Sequence, residues 1–282
     1  GRRVTTALDR TRALLDTPPP PPVPGQLDLK EHTVTPYYES PEGDVTLYHG
    51  DMREVLPALD LQADLVVADP PYAETSLAWD QWPDGWPTLA ATVASSMWCF
   101  GSMRMFLQQR DEFADWKLSQ DLVWEKHNGS GFARDRFRRV HETATHWYRG
   151  PWSALHHQVP RVPTQFDPKD RTVSASAARV PHTGTIGAHR YEDDGLRLAR
   201  SVQRLPSVRG GIHPTEKPKA LLSKLITYAC PPGGLVVDPF AGSGSTLDAA
   251  RQSGRRAVGI EADEKYCEAA ARRLSALVLD IA

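Results

Sequence analysis

Short apolar runs alternate with amphipathic stretches along most of the chain. Val45-Thr46-Leu47-Tyr48-His49 reads as a strand, and Met52 to Leu59 as a short helix. Asp64-Leu65-Val66-Val67-Ala68 is a clear buried strand, followed by further strands at Met97 to Phe100, Leu118 to Trp124 and His141 to Tyr148. Met103 to Trp116 reads as one helix. Later, Leu221, Leu222, Leu225, Ile226 and Ala229 mark the apolar face of a helix opened by Pro218. Leu235 to Val237 and Arg256 to Glu261 are strands, with a helix between them that ends near Gly254. A last helix, Asp263 to Leu277, turns Tyr266, Ala270, Leu274 and Leu277 inward. Such alternation predicts an α/β fold, a doubly wound sheet with helices on both faces.

Two regions break the pattern. Residues 1–40 contain Thr17-Pro-Pro-Pro-Pro-Pro-Val-Pro24, which must be an extended polyproline spacer, so this part reads as a flexible Pro-rich arm. From Gly150 to Gly211 periodicity fails and prolines, serines, glycines, histidines and arginines dominate, as in long functional loops. The 40% hydrophobic content can fill a core for 282 residues, and no apolar run is long enough for a membrane helix. Three scattered cysteines, Cys99, Cys230 and Cys267, argue against a zinc site and for a reducing, cytoplasmic setting. The histidines between His127 and His189 lack metal-ligand spacing, so no metal is expected. Charge is uneven. Lys126 to Arg209 holds 15 Lys/Arg against 7 Asp/Glu, leaving 18 basic and 28 acidic residues in the rest of the chain. That places a basic face on an acidic body and favours a nucleic-acid partner.

The chemistry gathers after two strands. Asp238-Pro239-Phe240-Ala241-Gly242-Ser243-Gly244 forms a glycine turn between a strand and a helix N-terminus, a ready site for an anionic group. Glu261 ends the next strand 19 residues beyond Gly242, near the ~20-residue spacing at which an acid meets a ribose diol. Leu247 replaces the third glycine of a dinucleotide fingerprint, and no lysine follows Gly244 as in a phosphate loop. Asp69-Pro70-Pro71-Tyr72 directly follows the strand ending at Ala68. Its prolines stop sheet pairing and expose an acid and an aromatic ring at the sheet's edge.

These residues resemble the β class of amino DNA methyltransferases, site-specific enzymes acting on N6 of adenine or N4 of cytosine. D-P-P-Y at 69–72 resembles the catalytic tetrad, and Asp238 to Thr246 the S-adenosylmethionine loop. Gly50-Asp51 resembles the motif near the cofactor's adenine, and His213-Pro-Thr-Glu-Lys-Pro218 the H-P-T-x-K-P element. The order, tetrad before cofactor loop, fits that class. The resemblance implies a Rossmann-like sheet of the S-adenosylmethionine-dependent methyltransferase type. Its catalytic half would be residues 41–149, its irregular target-recognition insertion 150–211, and its cofactor half 212–282.

The resemblance also implies roles. Asp69, Pro70, Pro71 and Tyr72 would act on the target amino group. Asp51, Thr215, Lys217, Asp238, Phe240, Ala241, Gly242, Ser243, Gly244 and Glu261 would hold S-adenosylmethionine. Double-stranded DNA would meet Lys126, in a variant tryptophan–lysine–asparagine element, and the arginines Arg134, Arg136, Arg138 and Arg139. Adenine N6 is the expected target, because D-P-P-Y accompanies adenine more often than S-P-P-Y does. Cytosine N4 is the alternative, and a non-catalytic DNA-binding subunit of the same fold is the rival from another class. A homodimer and a companion restriction endonuclease are compatible with the resemblance.

Overall fold

The structure is a computed structural model that describes residues 34–76, 80–130, 135–164, 171–173, 189–208 and 216–279. In chain order it begins with β1 (Tyr38–Glu39), β2 (Val45–His49), α1 (Met52–Ala58) and β3 (Leu65–Ala68). Then come α2 (Trp86–Val93), β4 (Ser96–Gly101), α3 (Met103–Gln108), β5 (Lys117–Ser130) and β6 (Arg139–Tyr148). Five short strands follow: β7 (Arg161–Pro163), β8 (Arg171–Val173), β9 (His189–Tyr191), β10 (Leu196–Leu198) and β11 (Val202–Arg204). The chain closes with α4 (Lys219–Ala229), β12 (Leu235–Asp238), α5 (Ser245–Gln252), β13 (Arg256–Glu261) and α6 (Glu264–Leu279).

Nine strands form one sheet in the order β1-β2-β13-β12-β3-β4-β6-β5-β11. The five from β2 to β4 are parallel, and β6 enters antiparallel to both β4 and β5. Parallel strands are covered on both faces, which is why Leu65-Val66-Val67-Ala68 is apolar throughout and wholly buried. Successive side chains serve opposite layers. Leu65 and Val67 join Leu221, Leu225 and Leu247, while Val66 and Ala68 join Met52, Leu56, Trp86 and Phe113. α1 starts where it does because the Asp51 carboxylate accepts the Arg53 amide at 2.8 Å, a side-chain N-cap. Among the described residues no helix is long and apolar enough to cross a membrane.

Four expectations need correction. The Pro-rich arm, residues 1–40, lies outside the described residues up to 33, but Tyr38–Glu39 is a strand paired antiparallel to β2. Met103 to Trp116 is not one helix. It breaks after Gln108 into a 3-10 turn, Arg110–Phe113, whose tighter winding aims Phe113 into an aromatic cluster where it stacks on Trp147 at 4.7 Å. The irregular insertion is not all outside the core sheet, because β11 pairs parallel to β5 and the Trp124 indole donates to Leu205 O at 2.9 Å. Backbone pairing needs no apolar periodicity, so the sequence carried no sign of it. On α6 the inward face is Cys267, Ala270 and Leu274; Tyr266 is only half-buried, and the Leu277 side chain lies outside the described residues.

Trp86 is fully buried between Trp82, Phe113 and Phe240, and its indole N–H has no partner among the described residues. Trp86→Ala should lower unfolding free energy by about 3–5 kcal/mol in urea titrations. Trp86→Phe should cost much less, because it keeps a ring and removes a buried donor that lacks an acceptor.

Candidate active site

β12 and β3 lie side by side, Val237 paired with Val66, yet the chain leaves them in opposite directions. From β12 it passes to β13 on one flank, and from β3 to β4 on the other. The loops at their carboxyl ends therefore diverge and leave a crevice, the usual ligand position in an open parallel sheet. Four acids line this edge in the order of their strands: Asp51 after β2, Glu261 on β13, Asp238 on β12 and Asp69 after β3. At the spacing of adjacent strands the row spans about 14 Å.

Asp69 ends a largely buried chain of charges. Its Oδ1 accepts the Tyr72 hydroxyl at 2.8 Å, and its Oδ2 pairs with the Lys217 ammonium. Lys217 also faces Glu142 of β6 at 3.4 Å, and Glu142 pairs in turn with Lys126 of β5. Burial alone would lower the Lys217 ammonium, but Asp69 and Glu142 outweigh it and hold the group above its ordinary range. Burial likewise opposes the Glu142 carboxylate, and the two lysines hold it below its usual range. Burial and the neighbouring Asp69 push the Tyr72 phenol well up, so it remains a proton donor. Removing one member would strand the others, since unpaired buried charges are costly.

The loop after the tetrad is shaped by Asp80. Its buried carboxylate accepts the amides of Ala73, Glu74 and Thr75 at 2.9, 3.0 and 2.7 Å, while Ala73 takes a left-handed φ of 56°. Glu74 then accepts the Ser102 hydroxyl at the end of β4 and faces Arg139 at 3.4 Å.

On the other side of the crevice, both oxygens of Glu261 are held by backbone amides, Gly242 at 2.7 Å and Asp263 at 2.8 Å. Burial still raises its pKa against those bonds. Gly50 N donates to Glu261 O at 2.9 Å, which brings the Gly50-Asp51 corner beside it. Asp51 is bound by Arg53, which holds its carboxyl below the usual range. Asp238 is 3% exposed and accepts the Phe240 amide at 2.9 Å, and burial pushes its pKa up to about 7. Gly244 has φ 79°, and a Cβ there would stand 3.0 Å from the Ala270 methyl, so only glycine fits under α6. Phe240 packs edge-on against Trp86, and Ala241 and Ser243 are buried in the turn.

A second clasp joins the glycine loop to the segment before α4. Arg273 donates to Ser245 Oγ at 2.6 Å, Ser243 Oγ at 3.2 Å and Glu216 at 2.7 Å, and Ser243 donates to Glu216 at 3.2 Å. Thr215 and Arg134 lie outside the described residues. Lys126, expected at the DNA, is turned inward to Glu142 with 17% of its side chain exposed. Arg136, Arg138 and Arg139 are exposed at the β5–β6 turn, with Arg136 paired to Asp135 at 2.6 Å. Sequence reading missed Asp80, Glu142, Glu216 and Arg273. Only Glu216 carried a signal, as the variable place of the H-P-T-x-K-P element.

The comparisons agree with this geometry. Residues 63–272 match the family described as DNA methylase, whose members modify N6 or N4 amino groups. The chain is 28% identical over 271 residues to the type II methyltransferase M.ScaI of Streptomyces caespitosus, covering 88% of this chain and 86% of that one. Two solved structures are similar in fold. The M1.HpyAVI–SAM complex has a TM-score of 0.57 at 22% identity, over 81% of this chain and 99% of that one. The cytosine-N4-specific PvuII DNA methyltransferase has a TM-score of 0.57 at 17% identity, over 86% of this chain and 89% of that one. The chain belongs to the N6/N4 DNA methylase family and is a DNA methyltransferase that uses S-adenosylmethionine.

Proposed function

We propose that this methyltransferase acts on N6 of adenine in double-stranded DNA. The observation that carries the reading is a salt-bridged carboxylate, Asp69, at the first position of the tetrad, where a hydroxyl would be the alternative. An exocyclic amino nitrogen is a poor nucleophile because its lone pair is delocalised into the ring. Asp69 and the Pro70 carbonyl each accept one amino hydrogen, which favours a tetrahedral nitrogen with its lone pair free. A bond to an ionised acceptor is roughly twice as strong as one to a neutral one. Pro71 stiffens the turn, and Tyr72 offers its ring to a base that has left the duplex. The fixed Lys217 ammonium keeps Asp69 oriented, so positioning and electrostatics supply most of the acceleration.

S-adenosylmethionine, when bound, supplies an electrophilic sulfonium methyl. The donor set suits it: an acid row for a cationic ligand, and a glycine turn that leaves backbone accessible. In this reading Glu261 holds the ribose hydroxyls and Asp51 lies by the adenine. Asp238, Phe240, Ala241, Gly242, Ser243 and Gly244 line the methionine end, with Thr215 completing it; Lys217, expected there too, turns its ammonium to Asp69 and Glu142. Arg134, Arg136, Arg138 and Arg139 meet DNA phosphates, while Lys126 is committed to Glu142.

Expression in a methylation-deficient host, followed by nucleoside mass spectrometry, should yield N6-methyladenine; N4-methylcytosine alone would move the target to cytosine. Asp69→Ala should reduce methyl transfer by about 10²–10³-fold or more, while calorimetry shows cofactor affinity nearly unchanged. Glu261→Ala should do the reverse, weakening cofactor binding about tenfold or more for the loss of a charged acceptor. Equal loss of cofactor binding in Asp69→Ala would misplace that residue.

Asp238 predicts a pH dependence. Its pKa rises from 3.8 to about 7 in the free protein, and a cationic ligand favours the ionised form. Binding should therefore release a proton below pH 7, and cofactor affinity should climb by up to about tenfold per unit as pH rises towards 7 and level off above it. Asp238→Asn should flatten that climb. Without ligand the sign is the opposite: the group's contribution to stability is complete below the ordinary pKa of 3.8 and is lost as pH rises through about 7.

A further inference from the structure

Phe137 is the most exposed large apolar side chain among the described residues, at 102%. A single exposed apolar residue is ordinary on a protein surface. Its surroundings are not. It stands in Asp135-Arg136-Phe137-Arg138-Arg139, an exposed turn between β5 and β6 with arginines on both sides.

The turn is aimed by the sheet. Gly101, the last residue of β4, pairs with Thr143 of β6, so Arg139 to Glu142 run on past the edge where Asp69 emerges. Four extended residues reach about 13 Å beyond it. The base of this arm is tied to the site by two ion pairs. Glu142 faces Lys217, which holds Asp69, and Arg139 faces Glu74, two residues after Tyr72. Phe137, two residues before β6, thus stands beyond the rim of the crevice on a fixed root.

We propose that Phe137 is a wedge that enters the duplex as the target base swings into the crevice, filling the place the base leaves. The inference rests on the DNA methyltransferase activity. An amino group in a duplex reaches a protein pocket only when its base is extruded, which leaves two stacking faces bare. An aromatic ring covers such faces whatever the sequence, and apolar wedges flanked by cations on the phosphates are a common way to hold a duplex open. Phe137 supplies the ring, and Arg136, Arg138 and Arg139 supply the cations. The wedge acts on DNA opening, not on methyl transfer itself, so it is a positioning residue.

The test uses the full chain and duplexes built on the sequence found methylated in host DNA. One duplex is fully paired, and in the other the target base faces an abasic site and is already unpaired. In single-turnover assays Phe137→Ala should slow methylation of the paired duplex about tenfold, the size of one lost stacking contact. On the abasic duplex it should stay within about twofold of the unaltered protein, because no wedge is needed. Phe137→Trp, which keeps a stacking face, should restore the paired rate to within about threefold. Equal losses on both duplexes, or no loss on the paired one, would overturn the wedge. An unaltered protein that methylates neither duplex would overturn the activity on which the wedge rests.

Discussion

The pairing of β12 with β3 is the constraint from which the site follows. These strands come from segments about 170 residues apart, and their backbones register Val236 with Leu65 and Val237 with Val66. Once they are neighbours, the opposite exits of the chain open a crevice without any residue being spent on it. The tetrad and the glycine turn face each other because each follows directly on one of the two strands. The same pairing explains why β3 is apolar on both faces, since each face must meet its own helical layer.

Buried charge then does what apolar packing cannot. Asp69, Lys217, Glu142 and Lys126 come from four separate segments, and each is neutralised by the next. Burial opposes the charges of Lys217 and Glu142, and each is held ionised by its partners in the chain. It keeps an ionised acceptor at the crevice with both oxygens fixed. The row of acids from Asp51 to Asp69 carries the opposite logic at its centre. Among the described residues no cation pairs with Asp238, and burial pushes its pKa up to about 7.

Position on the rim separates binding from chemistry. The Glu216–Arg273 clasp ties the glycine loop to the segment before α4, at the residue next to Lys217. The β5–β6 arm reaches outward from the opposite side and shares its root with the same charge chain.

Much of this was legible in the residues alone. The strand at 65–68 announced itself as a fully buried, continuous apolar run, and those at 235–238 and 256–261 as short apolar runs between turn residues. The D-P-P-Y turn, the glycine turn and Glu261 stood out because their chemistry needs special residues at short, local spacing. Hydrophobic pattern reports burial, so it was silent on elements made by backbone pairing, such as β1 and β11. It also merged α3 with the 3-10 turn after it, since both place apolar residues at similar intervals. The partners of Asp69 were out of reach for a different reason. Lys217 and Glu142 are 148 and 73 positions away, and a charged residue in sequence gives no sign of whether it will face water or another charge. Lys126 is an example: the variant tryptophan–lysine–asparagine element gave no sign that its ammonium pairs with Glu142. Local chemistry determined which residue types this protein would use, and tertiary pairing across the sheet decided which of them meet.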